Sequence, residues 1–337
     1  MSEIRHDASA TIGARAFHKE TGVAEQQRTI ENEFVQKFVD PDTGRVYPDY
    51  LVQRPCPTCG HQGEGQVAFF KNGFDHTRCS CGMLYVSKIL KEEYLNLVYA
   101  DENYEAETHR SFRTEPRKHF IEAIYSDGLK LLKTAGFTDG ALLDVGCSSG
   151  LFMENAIYAG FSAIGIEPSD YAVRLAGGFG LDVVQGYFTG DRFPVDAFRV
   201  VTLWDVLEHC ADPAEILTAA YHVLAPGGAI FIQVPNALGL APRIMRQDCN
   251  MFTGFGHINL FGPESARSIL AKIGFVDVRM QSVISEISVV NNYIDYHDPY
   301  LGPSLKKDDF LGLIDAGGIL DRLLGYKLQV IGIKSHG

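Results

Sequence analysis

Two sets of residues in this sequence have the types and spacing to do chemistry. The first is Asp144-Val-Gly146-Cys-Ser-Ser-Gly150, an acid and two glycines in the pattern Asp-x-Gly-x-x-x-Gly. Glycines let the chain turn tightly and let a ligand approach the backbone, and a helix starting there offers N–H groups to a carboxylate or phosphate. Glu167 follows about 20 residues later, where a carboxylate at a strand end accepts hydrogen bonds from ribose hydroxyls. The competing reading of Asp144 and Glu167 is helix capping. The second set is Cys56-Pro-Thr-Cys59-Gly and Cys79-Ser-Cys81-Gly. Each pair puts two thiols on one turn, and two such turns supply the corners of a tetrahedral, structural zinc site of the zinc-ribbon kind. The second pair is one residue short, so His61 or His76 could replace a thiolate. A redox pair or unrelated buried thiols is the alternative.

Positioning the first set requires a strand, a tight turn and a helix. Residues 141–145, ALLDV, form an apolar strand, and Leu151, Phe152, Ala156, Ile157 and Ala159 give the helical pattern after the turn. That is the first βα corner of a doubly wound α/β sheet, where ligands settle. Further strands are expected at 161–167, 181–185, 198–204, 229–234, 275–280 and 326–333, and helices at 171–176, 213–224 and 264–273. The fourth strand is nearly all apolar, as one covered on both faces should be, and delivers Trp204, Asp205, Glu208 and His209 to the edge that carries Gly146 and Glu167. Residues 238–261 lack periodicity and suit a substrate-facing loop.

Ahead of the sheet, residues 1–24 read as a loosely attached arm and 25–39 as an amphipathic helix ended by Asp40-Pro-Asp-Thr-Gly44. Short aromatic-rich strands separate the cysteine pairs, a strand and helix follow over 84–98, and 99–104 form a tyrosine-bearing connector. A helix from Pro116 ends near Gly136. Three regions result: arm and helix at 1–50, the zinc-ribbon-like domain at 51–104, and the sheet domain at 105–337, with an insertion at 281–325 ending in a helix.

The stretches LLDVGCSSG, GIEPS, VVTLWDVLEHCADP, VLAPGGAIFIQVPN and HINLFGPESARSILAKIGF, in this order and at these intervals, resemble the class I S-adenosylmethionine-dependent methyltransferases. The likeness spans about residues 141–334 and implies a Rossmann-like seven-stranded sheet with its last strand antiparallel. It implies that Asp144, Gly146 and Gly150 line the methionine end of the cofactor, that Glu167 holds its ribose, and that Gly186 and Trp204 border the adenine or the adjacent wall. The cysteine segment is similar to the zinc-binding segment that precedes this fold in some sugar-modifying enzymes. His257, in FGHINLF, falls where related sugar methyltransferases place an active-site histidine, so it is the first candidate for general base; His209 is the second. Gly256 stands where a Glu is frequent and Phe255 where a Tyr can be, which favours oxygen over carbon as the methylated atom.

Whole-chain properties narrow the partners. Net charge is −12, from 42 acidic against 30 basic residues, so a polyanionic nucleic acid is disfavoured and a small-molecule acceptor is expected: a sugar, nucleotide-sugar or glycan hydroxyl. An RNA methyltransferase gripping its substrate through the cysteine module, or a non-catalytic cofactor-binding scaffold, are the other readings. Seven cysteines without a secretory signal do not read as a disulfide framework. No stretch reaches the roughly 18 apolar residues of a membrane span, so a cytoplasmic protein is expected. Oligomeric state has no signal in the sequence.

Overall fold

The computed structural model of the protein describes residues 23–63, 65–94, 109, 112–284 and 316–336. The expected arm through residue 22, the connector at 99–104 and the part of the expected insertion at 285–315 lie outside these described residues.

The sheet domain begins with α2 (Glu115–Thr134), α1 being the upstream helix Val23–Phe38. Then come β6 (Gly140–Val145), α3 (Leu151–Tyr158), β7 (Phe161–Glu167), α4 (Asp170–Gly178), β8 (Val183–Gln185) and β9 (Phe198–Trp204). After them run α5 (Pro213–Val223), β10 (Leu224–Pro235), α6 (Leu240–Met245), β11 (Asn259–Leu260), α7 (Pro263–Ile273), β12 (Phe275–Val283), α8 (Ala316–Asp321) and β13 (Lys327–Lys334). Seven strands form one sheet in the order β12-β13-β10-β9-β6-β7-β8. Strands β6 to β10 pair in parallel, and β13 lies antiparallel between β10 and β12. The expected count and the antiparallel final strand are both present.

Local chemistry explains the helix starts. Ser169 caps α4 by accepting from the Ala172 N–H at 3.0 Å, and Asp212 caps α5 by accepting from Ala214 and Glu215 at 2.9 and 3.2 Å. Helix α7 ends on Gly274, whose φ of +115° suits only glycine comfortably. One boundary differs from expectation. The Ala-Pro-Gly-Gly run lies inside β10, because Leu224 already pairs with Phe198 and the register shifts before Ala229. Helices cover both faces: Ile124 and Leu132 of α2 pack with Phe152 on one side, and Leu217, Val223 and Ile269 of α5 and α7 on the other.

The cysteine segment has a two-stranded sheet, β1 (Leu51–Gln53) with β5 (Lys88–Leu90), and a four-stranded one. The latter joins β2 (Gln66–Lys71), β3 (Phe74–Arg78) and β4 (Leu84–Val86) to β11 in the order β11-β4-β3-β2. Its fourth strand therefore comes from the aperiodic loop of the sheet domain, with Asn259 opposite Tyr85. Phe34 and Phe38 of α1 close the other side, with Phe34 stacked on Phe255 at 4.4 Å. Among the described residues no helix is long and apolar enough to cross a membrane.

Candidate active site

The turn after β6 is built from backbone conformations that need glycine. Gly146 has φ +69°, and a Cβ there would stand 2.8 Å from a Val206 methyl; Gly150 has φ +78°, and its Cβ would stand 2.2 Å from Leu181. Asp144 is 2% exposed and accepts the Thr202 hydroxyl at 2.7 Å. Burial pushes its carboxyl up to about 7, against the Thr202 bond and aided by the Glu167 charge.

Glu167 is buried at the end of β7 and accepts from two loops at once, the Ser148 N–H at 2.9 Å and the Ser169 N–H at 3.0 Å. Its carboxylate thus lies at the β6–α3 corner, bridging the starts of two helices. The Glu167 carbonyl accepts from Gly186 at 3.0 Å, which fixes Gly186, at φ +135°, beside the same strand end. Asp144, Gly146, Gly150, Glu167 and Gly186 are therefore brought to one edge. Trp204 is not among them. Its indole packs against Tyr125, Phe152 and Phe231, at centroid distances of 4.7, 4.7 and 4.5 Å, and the strand order puts β6 and β7 between it and β8. A tryptophan ending an apolar strand reads from sequence as a wall, whereas this ring fills the core under α2.

The loop after β9 carries a second constellation. Asp205, at φ +55°, pairs with Lys327 and accepts from Gln233 at 3.0 Å. Glu208 is 1% exposed, and neither carboxylate oxygen meets a hydrogen-bond donor. Burial, then the Asp205 charge, raises its carboxyl far above the ordinary range. His209 and His257, from different loops, stand with ring centroids 4.9 Å apart at 68°. The His209 Nδ1 faces the Gly256 carbonyl at 3.0 Å and the His257 Nδ1 faces the Met251 carbonyl at 2.9 Å. A carbonyl only accepts, so each Nδ1 carries the proton and each Nε2 is left as a lone pair. Burial holds both imidazoles below their usual range, His257 at about 3 with help from His209. By surface area, however, His209 is exposed and His257 half-buried.

Long-range bonds hold this pair together. The Glu208 carbonyl accepts from Ile258 and Asn259 at 2.8 and 3.1 Å, and the Asn259 side chain donates to the Leu207 and Cys210 carbonyls at 2.7 Å each. Arg54, two residues before the first cysteine, reaches the same place. It donates to the carbonyls of Val86, Ala211 and Ile258 at 2.9, 3.0 and 2.7 Å. Sequence reading missed Arg54, Thr202 and Lys327, which lie far along the chain from what they touch. Glu208 was visible as a neighbour of His209, but nothing in the pattern marked it as unpaired.

The four cysteines converge. Their Sγ atoms all lie within 4.8 Å of one another, with Cys56 to Cys81 at 3.7 Å and Cys59 to Cys79 at 3.5 Å. Each turn closes on a left-handed glycine, Gly60 donating to Cys56 and Gly82 to Cys79. The shorter second turn is thus accommodated, and the cluster is made of Cys79 and Cys81 with Cys56 and Cys59. His76 stacks on Phe69 at 4.4 Å, and neither histidine is in the group.

Residues 117–279 match a family described as a methyltransferase domain. A ubiquinone biosynthesis O-methyltransferase of Caulobacter vibrioides is 34% identical over 118 residues, 32% of this chain and 47% of the relative. Another, of Colwellia psychrerythraea, is 32% identical over 108 residues, 30% of this chain and 44% of the relative. The chain spans about half the length of the curated relatives it matches. A solved structure of a SAM-dependent methyltransferase from Archaeoglobus fulgidus covers 63% of this chain and 94% of its own, at 20% identity and a TM-score of 0.45. The seven-stranded order is consistent with a Rossmann-like class I methyltransferase core, and the match to a methyltransferase domain falls on this sheet.

Proposed function

We propose that the protein transfers a methyl group from S-adenosylmethionine to an oxygen of a small molecule, a sugar, nucleotide-sugar or glycan hydroxyl being the acceptor class. The observation that carries this reading is the meeting, at one sheet edge, of a glycine-and-carboxylate cradle with two lone-pair-bearing imidazoles. The residues fit the cofactor. Gly146 and Gly150 hold a left-handed turn in which a Cβ would strike Val206 or Leu181, so the turn's backbone stays in the form that offers N–H groups, and Glu167 has about four acceptor positions to share between backbone N–H groups and ribose hydroxyls. Asp144 holds the turn from beneath through Thr202. Bound cofactor supplies an activated methyl group on a sulfonium.

The chain then has to place the acceptor oxygen in line, exclude water and take up a proton. Positioning alone is worth roughly 7–11 kcal/mol of barrier. His257 is the proposed base. Its Nδ1–H is fixed by Met251, so Nε2 is directed as acceptor, and a positioned base contributes about 10²- to 10⁴-fold. A low proton affinity keeps this imidazole neutral at physiological pH, and the proton moves as the new C–O bond removes charge from the acceptor oxygen. His209, in ring contact with His257, orients the acceptor beside it. Oxygen is supported by the O-methyltransferase relatives, the sugar class by the resemblance of the cysteine segment.

The cysteine cluster suits zinc. Tetrahedral Zn–S bonds of about 2.3 Å require Sγ atoms about 3.8 Å apart, close to the 3.7 and 3.5 Å observed. Four thiolates leave no position for a reacting group, so the ion's role is to hold the two turns. Calorimetry with S-adenosylhomocysteine, followed by mass spectrometry of nucleotide-sugar pools incubated with isotopically labelled cofactor, tests the proposal. Cofactor binding with a labelled sugar product is expected; labelled product on RNA alone would overturn the acceptor class.

A further inference from the structure

We infer that Glu208, His209 and His257 form a second metal site, distinct from the cysteine cluster, that takes a divalent first-row cation at the acceptor end of the crevice. Three observations converge on it. One ligand atom from each residue lies within 4.8 Å of the other two, and the three come from two loops that meet only through tertiary contacts. The Nδ1–H of both rings is given to a backbone carbonyl, the outer hydrogen bond by which proteins orient metal-binding imidazoles. Glu208 is buried with both oxygens lacking a hydrogen-bond donor, so its acceptor positions are unclaimed by the protein.

The charges facing the site agree. Lys327 is paired with Asp205, and among the described residues no Lys or Arg forms an ion pair with Glu208, so its oxygens are not claimed by a protein cation. Two imidazoles and one carboxylate form a borderline-soft donor set that suits Mn, Fe, Co, Ni or Zn rather than Mg or Ca. Three ligands leave coordination positions open. On the methyl-transfer reading, an acceptor hydroxyl takes one of them and becomes more acidic; in that form His257 serves as ligand, and its role as base belongs to the cation-free protein.

Full-length protein with its cysteine cluster filled by zinc, titrated with cobalt(II) chloride, tests the inference by visible absorption. Thiolate-bound cobalt gives intense charge-transfer bands, while a histidine and carboxylate site gives only d–d bands. One further equivalent with d–d bands alone is expected, and Glu208→Gln and His257→Ala should each weaken uptake by at least about tenfold, the scale seen when a metal site is damaged. Affinity for S-adenosylhomocysteine, measured on the same preparations, should be unchanged in Glu208→Gln, showing that the variant is folded. Absence of the extra equivalent, or uptake indifferent to both variants, overturns the site. Failure of wild-type protein to bind S-adenosylhomocysteine would instead remove the methyl-transfer reading, and cobalt uptake would still decide the metal site.

Discussion

The two ends of the proposed site are made differently. The cofactor end is built from backbone: turns after β6, β7 and β8, left-handed glycines and one carboxylate shared between two N–H groups. All of it lies within 43 residues, on neighbouring parallel strands. The acceptor end is built from side chains on irregular loops, tied by bonds that span up to 204 residues, and one of its walls belongs to a sheet of the cysteine module. The difference teaches that the first end depends on the fold of the sheet alone, whereas the second depends on an appendage gathered around four cysteines. A site divided this way should fail one end at a time.

The largest expected effect is on the cysteine cluster. Cys56→Ser or Cys81→Ser should abolish methyl transfer to any acceptor while changing S-adenosylhomocysteine affinity by less than about threefold, because structural zinc contributes folding energy directly to its own segment. Calorimetry beside a turnover assay reads both quantities. Equal loss of the two would break the proposed division.

Arg54 sharpens the same point. Its guanidinium, drawn down to about 10 by burial and still charged at neutral pH, satisfies three buried or half-buried carbonyls. Arg54→Met removes one donor from each, the Ile258 carbonyl keeping the Val86 N–H, at roughly 1–3 kcal/mol for each group left unsatisfied. The expected result is a fall in thermal midpoint and in turnover, with cofactor affinity retained. Arg54→Lys, which cannot reach three acceptors in a fork, should rescue little of it.

Glu167→Ala addresses the opposite end. Loss of charge-assisted bonds worth about 1.5–3 kcal/mol predicts cofactor binding weaker by roughly 10- to 150-fold, with cobalt uptake unaffected. Unaltered cofactor affinity would return Glu167 to the capping role that competes with the ligand reading.

The smallest effect is in the pH profile. A base must be neutral to act, and His257 is held at about 3 by burial and by His209. Activity should therefore show no acid limb near the 6.5 of an unperturbed imidazole, and should fall only as pH approaches 3. Asp144 has the opposite sign. Its folded carboxyl sits near 7, above its unfolded value, so the folded state binds more protons between about pH 4 and 7 and loses stability as pH rises through that window. Asp144→Asn should flatten the dependence of the denaturation midpoint on pH.

What the sequence disclosed follows the same division. The positions of Asp144, Gly146, Gly150 and Glu167 are legible because each is set by neighbours within a few residues: a strand end, a turn, a helix start. Strand β9 was read to its terminal residues because an apolar run between polar ends has few alternatives. Trp204 was read to its strand end, whereas periodicity fixes a residue's strand but not which side of the sheet edge its ring fills. His209 and His257 were visible as residues, yet their opposed Nδ1 protons depend on the Gly256 and Met251 carbonyls, which no spacing encodes. Pairing of β11 with β4 was out of reach for the same reason, since a two-residue strand carries no pattern.

That pairing bears on synthesis at the ribosome. Strand β4 emerges with one side bonded to β3, while its other partner, opposite Tyr85, is Asn259, more than 170 residues downstream. At translation rates of about 5–20 residues per second, the nascent chain carries an open, apolar strand edge for roughly 9–35 s. Premature termination anywhere in that interval leaves Leu84, Tyr85 and Val86, all buried in the finished molecule, as an adhesive edge, so truncated products should need chaperone protection that the completed chain does not.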